Sequence, residues 1–391
     1  MVDKEKIDEL LTRGVERVYP DKATLEKVLM SDKKIRLYYG IDPTGANLHL
    51  GHLVQLLKLK QFQDLNHEVI ILIGDFTAQI GDPTDKQAAR KQLTHEQVLN
   101  NARGYKKQIG KILDLEKSNI NFLHNAKWSN KLSPEDMLEL ASHFTVSDLL
   151  TRDMFQERLK AGKEVYVHEF LYPVFQAYDA VTMEVDLQIG GNDQMFNMLA
   201  GRDLMKKKKQ KEMFVVTTKL LVDPTGRKMG KSEGNAITLN DKANDMFGKI
   251  MSWPDSLIEK GFELCTYVDL SKVKAKENPR DMKMMLAREI IKIVLGEGEA
   301  KKAEENFVST FQKKEIPEEM EEIRAESGEL VSEVLVKNKI LLSKGEWRRI
   351  VLGNGVHNLS KNSNITDQNI KITEDLTLKI GKKRFVKIIR K

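Results

Sequence analysis

The stretch "KIRLYYGIDPTGANLHLGHLVQLLKLKQFQDLNHEVIILIGDF", residues 34–76, decides the fold class. Its first part, "KIRLYYG" (34–40), reads as a strand, and the proline and glycine of "IDPTGAN" turn the chain. From about Leu48 the apolar residues Leu50, Leu53, Leu57 and Phe62 recur at helical spacing. "EVIILIGDF" (68–76) is apolar nearly throughout, as a strand is when helices cover both faces of a parallel sheet. Strand, helix and strand make a β-α-β unit, which opens an α/β domain.

Working outward, "VDLQIGG" (185–191) and "FVVTTKLLV" (214–222) carry the sheet to about residue 220, with helical material between 95 and 182. The N-terminal "MVDKEKIDELLTRGVERVYP" reads as one amphipathic helix, and its acidic residues are unlike those of a signal or transit peptide. From 240 to 323 the pattern is one of charged helices such as "DMKMMLAREIIKIVLG", and "RAESGE" (324–329) reads as a linker. The remainder mixes a short helix with β segments. There "SKGEW" offers a capping box, Ser343 with Glu346, before a helix that carries Arg348 and Arg349.

A chain of 391 residues, 40% of them hydrophobic, buries more than one core. The single cysteine, Cys265, excludes an internal disulfide framework and a Cys-rich zinc site, and fits a reducing compartment. The longest apolar run, "VIILIG" (69–74), is too short to cross a bilayer, so a soluble cytoplasmic protein without a membrane partner is expected. The net charge of +6 is modest, yet the basic residues cluster at "KKKKQK" (206–211), "EWRRIV" (346–351) and "KIGKKRFVKIIRK" (379–391). Any one run could be a solvated face; three together favour a nucleic-acid backbone, whose counterions they would release.

In open α/β sheets, ligands sit where a strand's carboxyl end feeds a helix N-terminus, a place that favours anions. His49 and His52 lie one turn apart there and can reach one ligand, and Gly51 between them lets a flat base approach the backbone. Phosphate contact is the favoured reading. Zinc chelation and plain capping or core histidines are its alternatives, although no further carboxylate or histidine follows at a chelating spacing. A second motif, "PTGRKMGKSEGN" (224–235), ends like a P-loop, but Gly226 and Gly230 enclose three residues where that loop needs four. What is left is a glycine-punctuated loop whose Lys228 and Lys231 could close over a polyphosphate, with an ordinary basic surface loop as the alternative that would stand if the motif were alone.

"HLGH" resembles the His-x-Gly-His motif of class I aminoacyl-tRNA synthetases, and "KMGKS" resembles their Lys-Met-Ser-Lys-Ser loop with Gly230 at the middle serine. "YYGIDPTGANLHLGH", "IGDPTDK", "YPVFQAYDAV" and "LQIGGNDQMFN" resemble the tyrosyl-tRNA synthetases of bacterial type. The similarity covers about residues 34–235 and returns in the last 60 residues, which resemble a small RNA-binding module shared with a small-subunit ribosomal protein. The resemblance implies a Rossmann-like parallel-sheet catalytic domain at 1–222 with a dimerising insertion at about 125–170. It further implies a lysine loop with an all-α, anticodon-region domain at 223–325, and a small α+β RNA-binding domain at 330–391.

The reaction so implied is attachment of L-tyrosine to tRNA(Tyr) through tyrosyl-adenylate, with ATP as substrate, magnesium carried by the ATP, no metal held by the protein, and a homodimeric enzyme. By the same resemblance Thr44, His49, His52, Lys86, Arg90, Lys228 and Lys231 would serve the phosphates, and Ser232 would help hold the lysine loop. Asp42, Gly51 and Asp193 would join His49, His52 and Lys231 around ATP. Tyr38 and Asp179 would bond the phenolic hydroxyl of tyrosine; Asp82, Tyr172 and Gln176 would hold its ammonium group, and Gln194 would lie near its carboxyl. Arg348, Arg349, Lys382, Lys383 and Arg384 would meet RNA. Two other readings stand beside this one: a tryptophanyl-tRNA synthetase, which would not need an acid at Asp179, and a non-catalytic RNA-binding protein on a synthetase scaffold.

Overall fold

The computed structural model describes residues 3–83, 93–222, 236–274, 278–311, 320–361, 363–381 and 384–391. Its first sheet has six strands, β1 (Val15–Tyr19), β2 (Arg36–Ile41), β3 (Glu68–Ile73), β4 (Ile120–His124), β5 (Leu187–Gly191) and β6 (Phe214–Thr218). They lie in the order β1-β6-β5-β2-β3-β4, all parallel to their neighbours except β1, which runs antiparallel to β6. The helix Leu50–Asp64 crosses from β2 to β3, so residues 34–76 fold as the sequence implies.

The central strands β5 and β6 are buried at every position, and β3 at every position after its first, which explains the unbroken apolar run of β3; β5 and β6 bury the polar Gln188, Thr217 and Thr218 as well. On one face of the sheet, Tyr38, Ile70 and Leu72 pack with Val174 and Ala177 of the helix Val167–Met183 and with Met198 of the helix Met195–Lys209. The chain departs from the sequence reading at the sheet's two edges. The N-terminal helix ends at Thr12, Gly14 turns the chain at a positive φ of 65°, and β1 follows where continued helix was expected. β4 interrupts the stretch 95–182 that reads as helical. Both edge strands leave residues partly or fully exposed, so their sequences lack the apolar run that marks a central strand.

The chain divides into two compact units, Met1–Ala303 and Glu304–Lys391. In the first, the helices Ala243–Met251, Ile258–Cys265 and Pro279–Leu295 bury Phe247, Phe262 and Ile290, in keeping with the helical pattern read there. The second holds a five-stranded sheet of β7 (Glu321–Ala325), β8 (Val356–Asn358), β9 (Ser363–Asn364), β10 (Leu376–Ile380) and β11 (Arg384–Arg390), in the order β7-β11-β10-β8-β9. Trp347, Leu335, Leu378 and Ile388 are fully buried in its core. The linker read at 324–329 begins inside β7, which pairs in parallel with β11 far along the chain. Ser343 caps the helix Lys344–Leu352 by accepting the Glu346 N–H at 3.2 Å. The Glu346 carboxylate returns to the Leu342 N–H, one residue before the cap. Among the described residues, no helix is long and apolar enough to cross a membrane.

Candidate active site

Strand order reverses between β2 and β5: the chain proceeds from β2 outward to β3 and β4, and from β5 the other way to β6. A crevice at the carboxyl ends of such a pair is where open α/β sheets hold ligands. Asp42 follows β2 directly, Asp193 follows β5, and Asp82 lies beyond β3. Two glycines make room for this acidic group. A Cβ on Gly74 would stand 1.9 Å from Asp42 Oδ1, and one on Gly191 would stand 2.5 Å from Asp193 Oδ1.

The loop from Asp42 to Leu48 is held by side chains that come from elsewhere. Asn101 Nδ2 donates to Pro43 O at 2.8 Å, the Tyr105 hydroxyl to Gly45 O at 2.6 Å and Gln108 Nε2 to Ala46 O at 3.0 Å. Gln108 Oε1 accepts the Leu48 N–H at 2.8 Å. The Thr44 N–H closes a tight turn onto Asp42 O at 2.8 Å, which leaves the Thr44 side chain exposed at the loop's tip.

His49 is the N-cap of the helix Leu50–Asp64, and both histidines turn Nδ1 to the backbone. His49 Nδ1 accepts the Gly51 N–H at 3.0 Å, and His52 Nδ1 accepts the His49 N–H at 3.2 Å. The capping alternative and the phosphate reading are thereby compatible: with Nδ1 accepting, the neutral ring carries its proton on Nε2, so each imidazole keeps an N–H donor. The ring centroids are 4.1 Å apart. The helix start is tied to residues 237–239, since Leu50 N–H donates to Ile237 O at 3.0 Å and Leu239 N–H to Leu48 O at 2.8 Å. These residues directly follow the lysine motif. Lys228, Lys231 and Ser232 lie outside the described residues, as do Lys86, Arg90, Lys382 and Lys383.

Near these strand ends several polar side chains are buried together. Asp179, on the helix Val167–Met183, is 2% exposed, and its carboxylate accepts from Trp128 Nε1 at 2.7 Å and Asn125 Nδ2 at 3.1 Å. Tyr38 of β2 is 1% exposed, with its hydroxyl at a long 3.5 Å from Gln176 O. Tyr172 donates to Asp42 Oδ2 at 2.8 Å and Thr77 to Asp42 Oδ1 at 2.7 Å. Gln194 Nε2 donates to Asp82 Oδ2, while Asn197 Nδ2 donates to Gln194 Oε1 at 3.1 Å. Burial, and then the fields of neighbouring carboxylates, push the Asp42 and Asp179 carboxyl groups up to about 7. Such a pocket favours a ligand that brings a cation and a hydroxyl. Among the described residues, no group of three or more His, Cys, Asp or Glu side chains could hold a metal ion.

Hydrogen bonds and mutual charges thus link Tyr38 with Asp179, Asp42 with Tyr172 and Asp82, and Asp82 with Gln194 near the carboxyl ends of β2 and β5, where Asp193 also stands; Gln176 precedes Asp179 on the same helix, and His49, Gly51 and His52 open the helix after β2. Arg348, Arg349 and Arg384 belong to the second unit. There Arg348 and Arg349 are exposed on the helix Lys344–Leu352, and Arg384 donates to Ile340 O and the Glu346 carboxylate, both at 3.0 Å. Sequence reasoning passed over Thr77, Asn125, Trp128 and Arg152. Asn125 and Trp128 stand just after β4, and recognising that strand would have pointed to them as residues at a strand's carboxyl end.

The model of the class I tRNA synthetases of tryptophan and tyrosine matches residues 30–312, and the chain belongs to that family. Within it, the chain is similar along nearly its whole length to tyrosine–tRNA ligases. That of Carboxydothermus hydrogenoformans is 42% identical, over 97% of each chain. That of Thermotoga maritima is 40% identical, over 99% of this chain and 98% of the relative. The fold matches a C-terminally truncated mitochondrial tyrosyl-tRNA synthetase of Aspergillus nidulans with a TM-score of 0.64 and 21% identity, over 78% of this chain and 94% of that one.

Proposed function

We propose that the chain attaches L-tyrosine to tRNA(Tyr) in two steps. A tyrosine carboxylate oxygen attacks the α-phosphorus of ATP, the bond to the bridging oxygen breaks, and pyrophosphate leaves. A hydroxyl of the terminal ribose of the tRNA then attacks the acyl carbon of tyrosyl-adenylate, and AMP departs with the electron pair. The family includes tryptophan enzymes, so the observation that carries the choice is the buried Asp179 carboxylate beside Tyr38, oriented by Trp128 and Asn125. A buried acid is costly to keep ionised, and a ligand hydroxyl that donates to it adds to the two bonds that offset the cost.

The remaining roles are those that the family resemblance implies. Asp82, Tyr172 and Gln176 take the substrate ammonium, and Gln194 lies near its carboxyl. Asp193 and Asp42 hold the nucleotide side, with Gly51 leaving room for the base. His49, His52 and Thr44 meet the phosphates as charge moves toward pyrophosphate, and Lys86, Arg90, Lys228 and Lys231 complete that set, with Ser232 helping to hold the lysine loop. Magnesium enters with ATP as part of the substrate. Arg348, Arg349, Lys382, Lys383 and Arg384 contact the RNA backbone. The reading extends to a cytoplasmic homodimer, supported by apolar side chains left exposed in the segment 125–170, Leu138, Val146 and Val167 among them. Exchange of labelled pyrophosphate into ATP tests the first step: stimulation by tyrosine is expected, and stimulation by tryptophan in its place would overturn the reading.

A further inference from the structure

Arg152 is the N-cap residue of the helix Asp153–Lys160, with its carbonyl accepting the Phe155 and Gln156 N–H groups at 3.0 and 3.2 Å. Its side chain turns inward and is 4% exposed. The guanidinium lies 5.0 Å from the Phe196 ring centroid and 5.6 Å from that of Phe155. Nη1 and Nη2 are both buried, and among the described residues neither has a hydrogen-bond partner. Nη2 comes within 3.9 Å of Asp82 Oδ1, an ionic approach too long for a hydrogen bond. Burial pulls the guanidinium's pKa down from its usual value, with Asp82 and Tyr172 opposing. A buried guanidinium with both terminal nitrogens unsatisfied is expensive to keep unless something arrives to satisfy it.

We infer that Arg152 binds the α-carboxylate of the amino-acid substrate. The inference rests on the reading of Asp82 and Tyr172 as the ammonium subsite. An α-amino acid carries its ammonium and carboxylate on one carbon, and Asp82 and Arg152 present the complementary charges side by side. Guanidinium and carboxylate match as a planar, two-bond pair, which a lysine cannot reproduce. The contact is made to the ground-state carboxylate, whose charge diminishes once it bonds to phosphorus. It therefore lowers KM for the amino acid more than it raises kcat.

The test compares tyrosine with tyramine, which keeps the phenol and the ammonium and lacks the carboxylate. Both are titrated by calorimetry into the full chain and into the Arg152→Met and Arg152→Lys variants, and KM and kcat are followed by pyrophosphate exchange. Loss of a charge-assisted bond is expected to weaken tyrosine binding roughly 10- to 100-fold in Arg152→Met and less in Arg152→Lys, with KM rising by that factor and kcat changing little. Tyramine binding should stay within about twofold, which also shows that the variants are folded. Equal weakening of both ligands would mean that Arg152 only positions Asp82, and unchanged tyrosine binding with a raised KM for ATP would assign it to a phosphate; either result overturns the inference. Failure of the unmodified chain to bind either ligand would remove the amino-acid pocket itself, and this inference with it.

Discussion

Asp179 and Tyr38 share the task of reading one hydroxyl, and the two differ in strength. A hydroxyl bonded to an ionised or charge-sharing carboxylate is held about twice as strongly as one bonded to a neutral phenol. Asp179→Asn should therefore lower the ratio of kcat/KM for tyrosine over phenylalanine about tenfold or more, and Tyr38→Phe should lower it less. Adenylate formation measured with each amino acid decides this, and an unchanged ratio in both variants would remove the pair from the pocket. The same burial sets a pH dependence. Asp42 and Asp179 are raised from 3.8 to about 7, so the folded chain holds protons there that the unfolded chain has lost. That contribution to stability is complete below the unfolded value and disappears as pH rises through about 7. The Tm of the ligand-free chain should accordingly fall between about pH 4 and 7, and fall less steeply in Asp179→Asn. Tyrosine binding near neutral pH should release protons from Asp42, because an ammonium held at the neighbouring Tyr172 brings a positive charge beside that raised carboxyl group, seen as a buffer-dependent enthalpy. At this scale the sequence was legible where motifs carry meaning, as at His49, His52 and Tyr38. Trp128, which orients an acid 51 positions away, and Arg152, beside an aspartate in another loop, have no local pattern, because tertiary packing alone gives them a role.

The helix Leu50–Asp64 joins two functions at its first turn. His49 caps the helix with Nδ1 and keeps Nε2–H as a donor, so removing it alters both stability and chemistry unless the two are separated. His49→Asn replaces one capping acceptor with another, whereas His49→Ala loses the cap. Both should slow adenylate formation about a hundredfold or more. Only the alanine variant should lose about 1 kcal/mol of stability by denaturant unfolding. An asparagine variant with normal chemistry would leave His49 as a cap alone. Among the elements, β3, β5 and β6 were legible because burial on both faces keeps charged residues out of them beyond the first position of β3, and β2 because four of its six residues are buried. β1 and β4 sit at the sheet's edges with mixed burial, and β7 hides in a charged run, "EEIRA", of which Ile323 and Ala325 are buried. A strand whose partner is distant in sequence leaves little local trace when half its side chains meet water.

Across the whole molecule, the crevice lies in the unit Met1–Ala303 and the exposed arginines of the terminal helix in the unit Glu304–Lys391. A cut at 330 would leave β7 without β11, so a truncation should remove residues 320–391 together. Such a chain is expected to keep tyrosine-dependent pyrophosphate exchange and to lose most tRNA charging. In the intact chain, charging should weaken steeply as salt rises, because basic side chains displace counterions from the RNA. Equal loss of both activities on truncation would give the terminal unit a folding role instead. The central claim, that this pocket selects tyrosine and delivers it to RNA, is tested most directly by ATP-dependent transfer of labelled amino acid to tRNA(Tyr) by the intact chain. Acid-precipitable label is expected with tyrosine and absent with tryptophan or phenylalanine at equal concentration; charging with tryptophan, or with none of the three, would contradict the account.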